Sequence, residues 1–249
     1  MSAPVVIKIG TGVLTRENGT LDSSSLVKLV TAVAALQASG QSCIMVSSGA
    51  VGAGVAALGL TSYPEDIESR QAAAAVGQAR LIKKYVTLFQ DFDLHAAQLL
   101  LTGSDLSGNN ERVLATLERL LEHGGIVPII NENDSVAVEE LRVGDNDMLS
   151  ARVAQLVGAK KLILFTTVDG LLDQEGAVIR EVAEVNEVLD LVRNESGKFS
   201  IGGMASKLQA VAYATSHGSE VIIANGRNPE QLSELVKGNG MGTRFPVSL

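Results

Sequence analysis

The sequence VVIKIGTG at residues 5–12 decides the fold of this chain. Its first part is apolar except for Lys8, and its second part carries Gly10 and Gly12. A strand that is apolar throughout, rather than alternating between apolar and polar residues, is typical of a sheet covered by helices on both faces. The stretch therefore predicts a buried strand that ends in a glycine-rich loop.

Similar apolar runs recur along the chain and alternate with longer helical patterns. The predicted strands are residues 5–7, 43–46, 95–101, 126–130, 162–165 and 221–224, and the predicted helices are residues 23–36, 67–89, 110–122 and 147–156. Hairpins are expected at 136–142 and 170–179, and a mobile loop placed as a lid at 194–201. The alternation predicts an α/β fold, namely a three-layer αβα sandwich with a mainly parallel central sheet.

Composition excludes several classes of protein. The 249 residues are 46% hydrophobic and 19% charged, which suits a single domain over residues 1–249. The formal net charge of −8 provides no general basic surface for nucleic acid. No apolar run is long enough to cross a bilayer and no signal peptide is evident, so we expect a cytoplasmic protein. The single cysteine, Cys43, lies in an apolar run and is expected to be a core thiol.

Polar or glycine-rich segments follow several of the predicted strands. These segments are residues 8–12, 47–50, 131–134 together with 144–147, and 202–207. In a parallel sheet, the loops that follow the strands gather along one edge, and ligands bind in the crevice there. The four segments therefore predict one site at the carboxyl ends of the strands.

Two of these segments have the character of anion-binding loops. Lys8 could simply extend its ammonium group to water, but Gly10 and Gly12 let backbone amides approach a phosphate closely. Residues 47–54 have the same character, since small residues follow a strand at the point where a helix is expected to begin. The dinucleotide pattern G-x-G-x-x-G and the P-loop pattern G-x-x-x-x-G-K-[ST] are both absent, which disfavours an ordinary Rossmann oxidoreductase or a P-loop enzyme.

The densest polar cluster joins two neighbouring loops. Its members are Asn131, Asn133, Asp134, Asp145, Asn146 and Asp147. Helix capping alone could explain Asp145 or Asn146, but three carboxylates and three carboxamides exceed what caps require. Such a cluster can hold an ammonium group or order the water around Mg²⁺, and no metal ion bound by the protein itself is predicted.

Taken together, the motifs resemble the glutamate 5-kinases of the amino acid kinase family over essentially the whole chain. The motifs are VIKIGT at 6–11, VSSGA at 46–50, AVGQ at 75–78, NEND at 131–134, and residues 143–150 and 202–207. The resemblance implies ATP-dependent phosphorylation of the γ-carboxylate of L-glutamate to L-glutamyl 5-phosphate, the first step of proline biosynthesis, with Mg²⁺ bound to the nucleotide. It also implies a homo-oligomer, a dimer or tetramer, with L-proline as a possible feedback inhibitor. No nucleic acid or membrane partner is expected, and neither is the C-terminal PUA domain of many relatives.

The resemblance also implies roles for individual residues. Lys8 and Lys207 would lie on the transferring phosphoryl group, with Asp147 holding both lysines, and the amides of Gly10, Gly49 and Gly203 would approach the phosphates. The implied glutamate-binding residues are Ser48, Gly49, Ala50, Asn131, Asp134, Asp145 and Asn146. The implied nucleotide-binding residues are Lys8, Gly10, Thr11, Thr166, Thr167, Gly202, Gly203, Met204 and Lys207. Many relatives carry Asp at the position of Thr167.

Two other functions are compatible with the same segments. One is another small-molecule kinase of this fold, such as an acetylglutamate-type or aspartate-type kinase that forms an acyl phosphate. The other is a catalytically silent amino acid or nucleotide sensor, which would have no need for both Lys8 and Lys207. A glutamate side chain has a pKa of about 4.3 and is ionised at neutral pH, so a glutamate kinase needs no general base, and the three histidines are interpreted as structural or surface residues.

Overall fold

A central sheet organises the structure, a computed structural model that describes residues 3–16, 19–107, 110–136, 146–188 and 203–248. Its strands are β1 (Val5–Ile9), β2 (Cys43–Ser47), β3 (His95–Leu101), β4 (Ile126–Glu132), β5 (Lys161–Thr166), β6 (Glu220–Asn225) and β7 (Thr243–Phe245). They lie in the order β3-β4-β2-β1-β5-β6-β7. Every neighbouring pair is parallel except β6 and β7, which are antiparallel. The prediction of a mainly parallel sheet is confirmed.

The helices connect the strands as the apolar patterns predict. They are α1 (Thr11–Leu14), α2 (Ser23–Ala38), α3 (Ala50–Leu58), α4 (Ile67–Gln90), α5 (Gly103–Leu106), α6 (Glu111–Glu122), α7 (Asn146–Leu156), α8 (Gly203–Ser216) and α9 (Leu232–Lys237). Short 3₁₀ turns cover Val185–Val188 and Pro229–Gln231. Asp22 and Asp66 cap α2 and α4 by accepting hydrogen bonds from the backbone amides of the first turns. Each element predicted from the sequence ends within two residues of its observed bounds.

Two apolar layers, one on each face of the sheet, complete a three-layer sandwich. Helices α2, α4 and α9 cover one face, and α6, α7 and α8 cover the other. Because side chains alternate along a strand, Val5, Ile7 and Ile9 of β1 point to the first layer, whereas Val6 points to the second. Lys8 follows Val6 by two residues and therefore lies on the face that α7 covers. This alternation sets the location of the Lys8 side chain.

Some elements differ from the sequence-based expectation. Strand β3 is an edge strand in which only Leu101 is buried, because a single neighbour, β4, flanks it. Strand β7 and the short helices α1, α5 and α9 were not predicted from the sequence. The expected hairpin at 170–179 is confirmed by an antiparallel bridge between Leu172 and Val178. Of the hairpin expected at 136–142 only Val136 is among the described residues, and the expected lid at 194–201 lies outside them.

Cys43 is a core thiol, as predicted, and its burial raises its pKa to about 12. No helix within the described ranges has the length and apolar character that a membrane span requires.

Candidate active site

Two lysines from distant parts of the sequence meet on one carboxylate. The Nζ atom of Lys8 lies 2.7 Å from Asp147 Oδ1, and the Nζ atom of Lys207 lies 3.1 Å from Asp147 Oδ2. The Asp147 side chain is fully buried, and the side chains of Lys8 and Lys207 are only 4% and 12% exposed. Lys8 therefore does not extend to bulk water. The structure therefore brings Lys8, Lys207 and Asp147 together, as the family resemblance implied.

Local structure explains how each member of this triad reaches its place. Lys8 comes from the central strand β1, whose alternation directs it toward α7. Asp147 lies in the first turn of α7, where the positive end of the helix dipole favours a carboxylate. Lys207 lies in the first turns of α8 and also donates to the carbonyl oxygen of Gly203 at 3.1 Å. The triad carries one net positive charge in a buried position, an arrangement that suits an anionic ligand.

A cluster of carboxamides and serine oxygens lies next to the triad. The Nδ2 group of Asn146 donates to Ser48 Oγ at 2.9 Å, to Asn131 Oδ1 at 2.9 Å and to the carbonyl oxygen of Ser47 at 3.3 Å. Asn146 Oδ1 is buried and has no hydrogen-bond partner within the described ranges. The cluster therefore offers one buried acceptor that a ligand donor could satisfy.

Helix α4 supplies two further groups to this cluster. Asn131 Nδ2 donates to Gln78 Oε1 at 2.7 Å, and the Tyr85 hydroxyl lies 3.0 Å from Ser47 Oγ. Tyr85 is fully buried, and this burial raises the pKa of its hydroxyl well above the ordinary value. Neither residue was assigned a role from the sequence, although Gln78 belongs to the AVGQ motif at 75–78.

The turn after β2 lies next to the end of β1. Gly49 adopts a left-handed conformation with φ of 98° and precedes the first residue of α3, Ala50. Only glycine takes this conformation readily, so the position explains the residue. The N–H of Ser48 donates to the carbonyl oxygen of Ile9 at 3.1 Å, which ties this turn to the end of β1. Gly49 and Ala50 thereby start α3 beside the triad.

Gly10 acts differently from the role implied for it. Its N–H donates to the carbonyl oxygen of Phe165 at 3.1 Å, so this amide is engaged within the protein rather than directed at a phosphate. A Cβ atom at Gly10 would lie 3.3 Å from that oxygen and 3.7 Å from the Nζ atom of Lys8. A side chain at this position would be crowded by the carbonyl oxygen of Phe165.

Residues assigned to the nucleotide lie on the other side of β1, after β5 and at the start of α8. The carbonyl oxygen of Thr166 accepts from the N–H of Gly226 at 2.8 Å, and the methyl group of Thr167 packs against Gly12 and α1. Asp169 accepts a hydrogen bond from Asn225 at 2.9 Å. Thr11 is exposed in the first turn of α1, and Gly203 and Met204 are half-buried in the first turn of α8.

The structure describes some of the remaining predicted site residues but not all of them. Asp134 is half-buried in the turn after β4. Asp145 and Gly202 lie outside the described residues. The three histidines, His95, His123 and His217, are exposed, as expected for surface residues. In the ranges that the structure describes, no group of three or more His, Cys, Asp or Glu side chains is arranged to hold a metal ion.

A model of the amino acid kinase family matches residues 3–225 of the sequence. The chain belongs to the amino acid kinase family. Among curated members, the glutamate 5-kinase of Geobacter sp. (strain M21) is 44% identical over 250 residues, which cover 97% of this chain and 67% of that protein. The glutamate 5-kinase of Clostridium acetobutylicum is 42% identical over 250 residues, which cover 97% of this amino acid kinase and 93% of that protein.

Solved structures show the same fold at low sequence identity. A carbamate kinase from Giardia lamblia bound to AMP-PNP matches this amino acid kinase with a TM-score of 0.69 at 14% identity, covering 99% of both chains. An isopentenyl phosphate kinase from T. acidophilum matches with a TM-score of 0.69 at 16% identity, covering 97% of this chain and 99% of that one. The predicted α/β sandwich is therefore confirmed as an amino acid kinase fold.

Proposed function

We propose that this amino acid kinase transfers the γ-phosphoryl group of ATP to the γ-carboxylate of L-glutamate and forms L-glutamyl 5-phosphate, the first step of proline biosynthesis. One observation carries the proposal. Consecutive residues in the first turn of α7 join two different environments, since Asn146 bonds to the Ser48 and Asn131 cluster and Asp147 binds Lys8 and Lys207. Curated glutamate 5-kinases that are 42–44% identical to the chain support the choice of substrate.

The cluster around Asn146 has the chemistry of an amino acid pocket. Its buried acceptor, Asn146 Oδ1, matches an ammonium donor, and a hydrogen bond between a charged and a neutral group is stronger than one between neutral groups. Asp134 lies in the turn that follows β4 and adds a carboxylate on the same edge of the sheet. We therefore assign the α-ammonium group of glutamate to Asn146 and Asp134, with Ser48, Gly49, Ala50, Asn131 and Asp145 as further pocket residues.

The triad has the chemistry that phosphoryl transfer requires. The γ-carboxylate of glutamate has a pKa of about 4.3 and is already a nucleophile at neutral pH, so no side chain must remove a proton. An oxygen of this carboxylate attacks the γ-phosphorus of ATP while the bond to the bridging oxygen breaks and ADP leaves. The obstacle is repulsion between anions, which fixed positive charges relieve at the loose transition state. Lys8 and Lys207 supply those charges, and Asp147 holds both of them in place.

The nucleotide would lie on the β5 and β6 side of the triad. We assign Thr166 and Thr167 to its base and ribose side, and Gly10, Thr11, Gly202, Gly203 and Met204 to the surroundings of its phosphates. Mg²⁺ would arrive bound to the phosphates, because both oxygens of Asp147 already contact lysine ammonium groups. When bound, the ion would neutralise part of the phosphate charge.

Several finer parts of the proposal rest on family membership. They are a cytoplasmic location, a homo-oligomer, inhibition by L-proline, and a kinase domain that spans residues 1–249. Size-exclusion chromatography with light scattering and a titration of the reaction with L-proline would test the second and third of these directly.

Trapping of the acyl phosphate tests the proposed reaction. The protein is incubated with ATP, Mg²⁺, L-glutamate and hydroxylamine, and we expect γ-glutamyl hydroxamate to form because hydroxylamine displaces phosphate from an acyl phosphate. Parallel reactions contain aspartate or N-acetylglutamate in place of glutamate.

Each result separates the candidate functions. Hydroxamate from aspartate or N-acetylglutamate but not from glutamate would replace the proposal with a different acyl-phosphate kinase. ADP release without hydroxamate would indicate transfer of the phosphoryl group to water, and none of the three acids would then be the acceptor. Neither product from any acceptor would indicate a sensor.

A further inference from the structure

We infer that Gln78 on α4 is a positioning residue for the amino acid pocket, acting through the carboxamide of Asn131. The inference deepens the proposed function and rests on it. Gln78 is assigned no part in the chemistry.

The direction of the carboxamide chain is fixed by the backbone. Asn131 is 2% exposed, and its Oδ1 atom accepts from the backbone N–H of Glu132 at 2.9 Å and from Asn146 Nδ2 at 2.9 Å. A backbone N–H cannot become an acceptor, so this contact determines which end of the Asn131 carboxamide faces Glu132. Asn131 Nδ2 must then point the other way, toward α4.

Gln78 satisfies the donor that this orientation creates. Its Oε1 atom accepts from Asn131 Nδ2 at 2.7 Å. Without an acceptor at position 78, a buried N–H donor would lose its partner, which is costly in a low-dielectric interior. The Asn131 side chain could relieve this only by rotating away from Asn146. The Gln78 acceptor therefore stabilises the orientation that Asn146 depends on.

The consequence reaches the substrate acceptor. Asn146 uses its Nδ2 group on Asn131, Ser48 and the Ser47 carbonyl, which leaves Asn146 Oδ1 as the free end. If Asn131 rotates, Asn146 loses one of the contacts that set its own orientation. Gln78 thereby controls whether the pocket presents an acceptor to an ammonium group.

Close packing of two helices lets Gln78 reach this position. A Cβ atom at the preceding residue, Gly77, would overlap the carbonyl oxygen of Ala50, and one at Gly54 would overlap that of Ala73. Helices α3 and α4 are therefore in direct backbone contact. This contact places the α4 backbone at position 78 close to the end of β4.

Two substitutions at position 78 separate the acceptor from the bulk of the side chain. Gln78→Met keeps the length but removes the acceptor, and Gln78→Glu keeps an acceptor. We expect Gln78→Met to raise KM for glutamate by about 5-fold or more, the lower end of the range that follows from leaving one buried donor without a partner. KM for ATP should stay unchanged, and Gln78→Glu should keep KM for glutamate within about threefold of the wild type. Gln90→Met, the same change at the exposed end of α4, is the matched control.

A double-variant cycle tests whether Gln78 acts through Asn131. In an Asn131→Ala background, Gln78→Met should change KM for glutamate by less than about twofold, because the donor it satisfies is gone. The inference is overturned if Gln78→Met leaves KM for glutamate unchanged. It is equally overturned if KM for both substrates and the melting temperature all change together, or if the two effects simply add.

A measurement without substrate keeps this inference separate from the proposed function. In ¹⁵N-labelled protein, the Asn131 side-chain amide protons should exchange slowly in the wild type and in Gln78→Glu, and rapidly in Gln78→Met. A wild type that forms no glutamyl hydroxamate would end the proposed function, whereas equal exchange rates in all three proteins would end the role of Gln78.

Discussion

Asn146 and Asp147 are neighbours in the chain, yet their side chains bind opposite halves of the site. Asn146 Nδ2 lies 2.9 Å from Ser48 Oγ, and Asp147 Oδ1 lies 2.7 Å from Lys8 Nζ. Both belong to the first turn of α7, where residues one apart point in directions about 100° apart. A single helical turn therefore fixes the distance between the amino acid pocket and the phosphoryl-facing cations.

Substitutions of these two neighbours should affect different kinetic constants. Asn146→Ala should raise KM for glutamate about tenfold and leave KM for ATP unchanged, because it removes a contact made to bound substrate. Asp147→Asn should lower kcat about 100-fold, since an amide cannot accept from both lysines. Steady-state kinetics with each substrate varied in turn would show the split. The same effect on both constants in both variants would contradict it.

Removal of either lysine should slow turnover far more than it weakens binding. Lys8→Ala or Lys207→Ala should lower kcat by about 100-fold or more, because the lost charge acts on the transition state. Lys237→Ala is the control, since Lys237 is 64% exposed and pairs only with Glu234 on its own helix among the described residues. Near-normal kcat in Lys8→Ala or Lys207→Ala, measured by hydroxamate formation, would remove the catalytic role.

Gly77→Ala should destabilise the protein strongly although the new group is a single methyl. The added Cβ atom would overlap the carbonyl oxygen of Ala50, which belongs to backbone and cannot rotate away. We expect a loss of about 2–4 kcal/mol in the free energy of unfolding, measured by urea denaturation. Ala79→Ser on the exposed face of the same helix should change it by less than about 0.5 kcal/mol. Similar midpoints for the two variants would refute the backbone contact.

Glu220 should make stability depend on pH at the acidic end. Burial would raise the pKa of this carboxyl, but hydrogen bonds from Lys161 at 2.8 Å and Arg244 at 3.0 Å outweigh burial and lower the pKa below 4.5. A lowered pKa in the folded state contributes stability above the unfolded pKa, and this contribution is lost as the pH falls through the folded pKa.

The matched variant for this group is Glu220→Gln. At pH 7 the free energy of unfolding of this variant should be about 1–2 kcal/mol lower than that of the wild type. This value lies between the contributions of an exposed and a buried ion pair. The difference should start to shrink as the pH falls below the unfolded pKa of about 4.3, and it should be smallest below the folded pKa, where the wild-type carboxyl is protonated in both states. A difference that stays constant from pH 7 to pH 3, measured by thermal melts, would exclude Glu220 as its source.

The strands of the sheet centre were predictable because both of their faces are buried. The apolar runs that form β1, β2, β5 and β6 contain few polar residues, and this signal does not depend on knowing their neighbours. Strand β7 has three residues, Thr243–Phe245, and pairs antiparallel at the sheet edge. A segment of three residues is too short to show a pattern of apolar and polar residues, so the sequence did not predict this strand.

Part of the site was predictable from the residues themselves and part only from the family resemblance. Lys8 stands out in an apolar strand, whereas the roles of Asp147 and Lys207 were implied by the resemblance, and the structure brings the three residues together. No role was predicted for Gln78 or Tyr85, because a glutamine and a tyrosine in a helix are ordinary surface and core residues until the fold shows their partners. The amide of Gly10 was expected to approach a phosphate, but it donates to the carbonyl oxygen of Phe165. No sequence pattern reveals such a contact between distant backbone groups.

The central position of β1 in the sheet has a consequence for folding during synthesis on the ribosome. In this strand, Val5 pairs on one side with Cys43 and on the other with Lys161, which lies far later in the sequence. The second edge of β1 therefore has no hydrogen-bond partner until β5 has emerged from the ribosome. An open, apolar edge of this kind is where nascent chains associate wrongly, so β1 is exposed to wrong pairing until β5 has been synthesised.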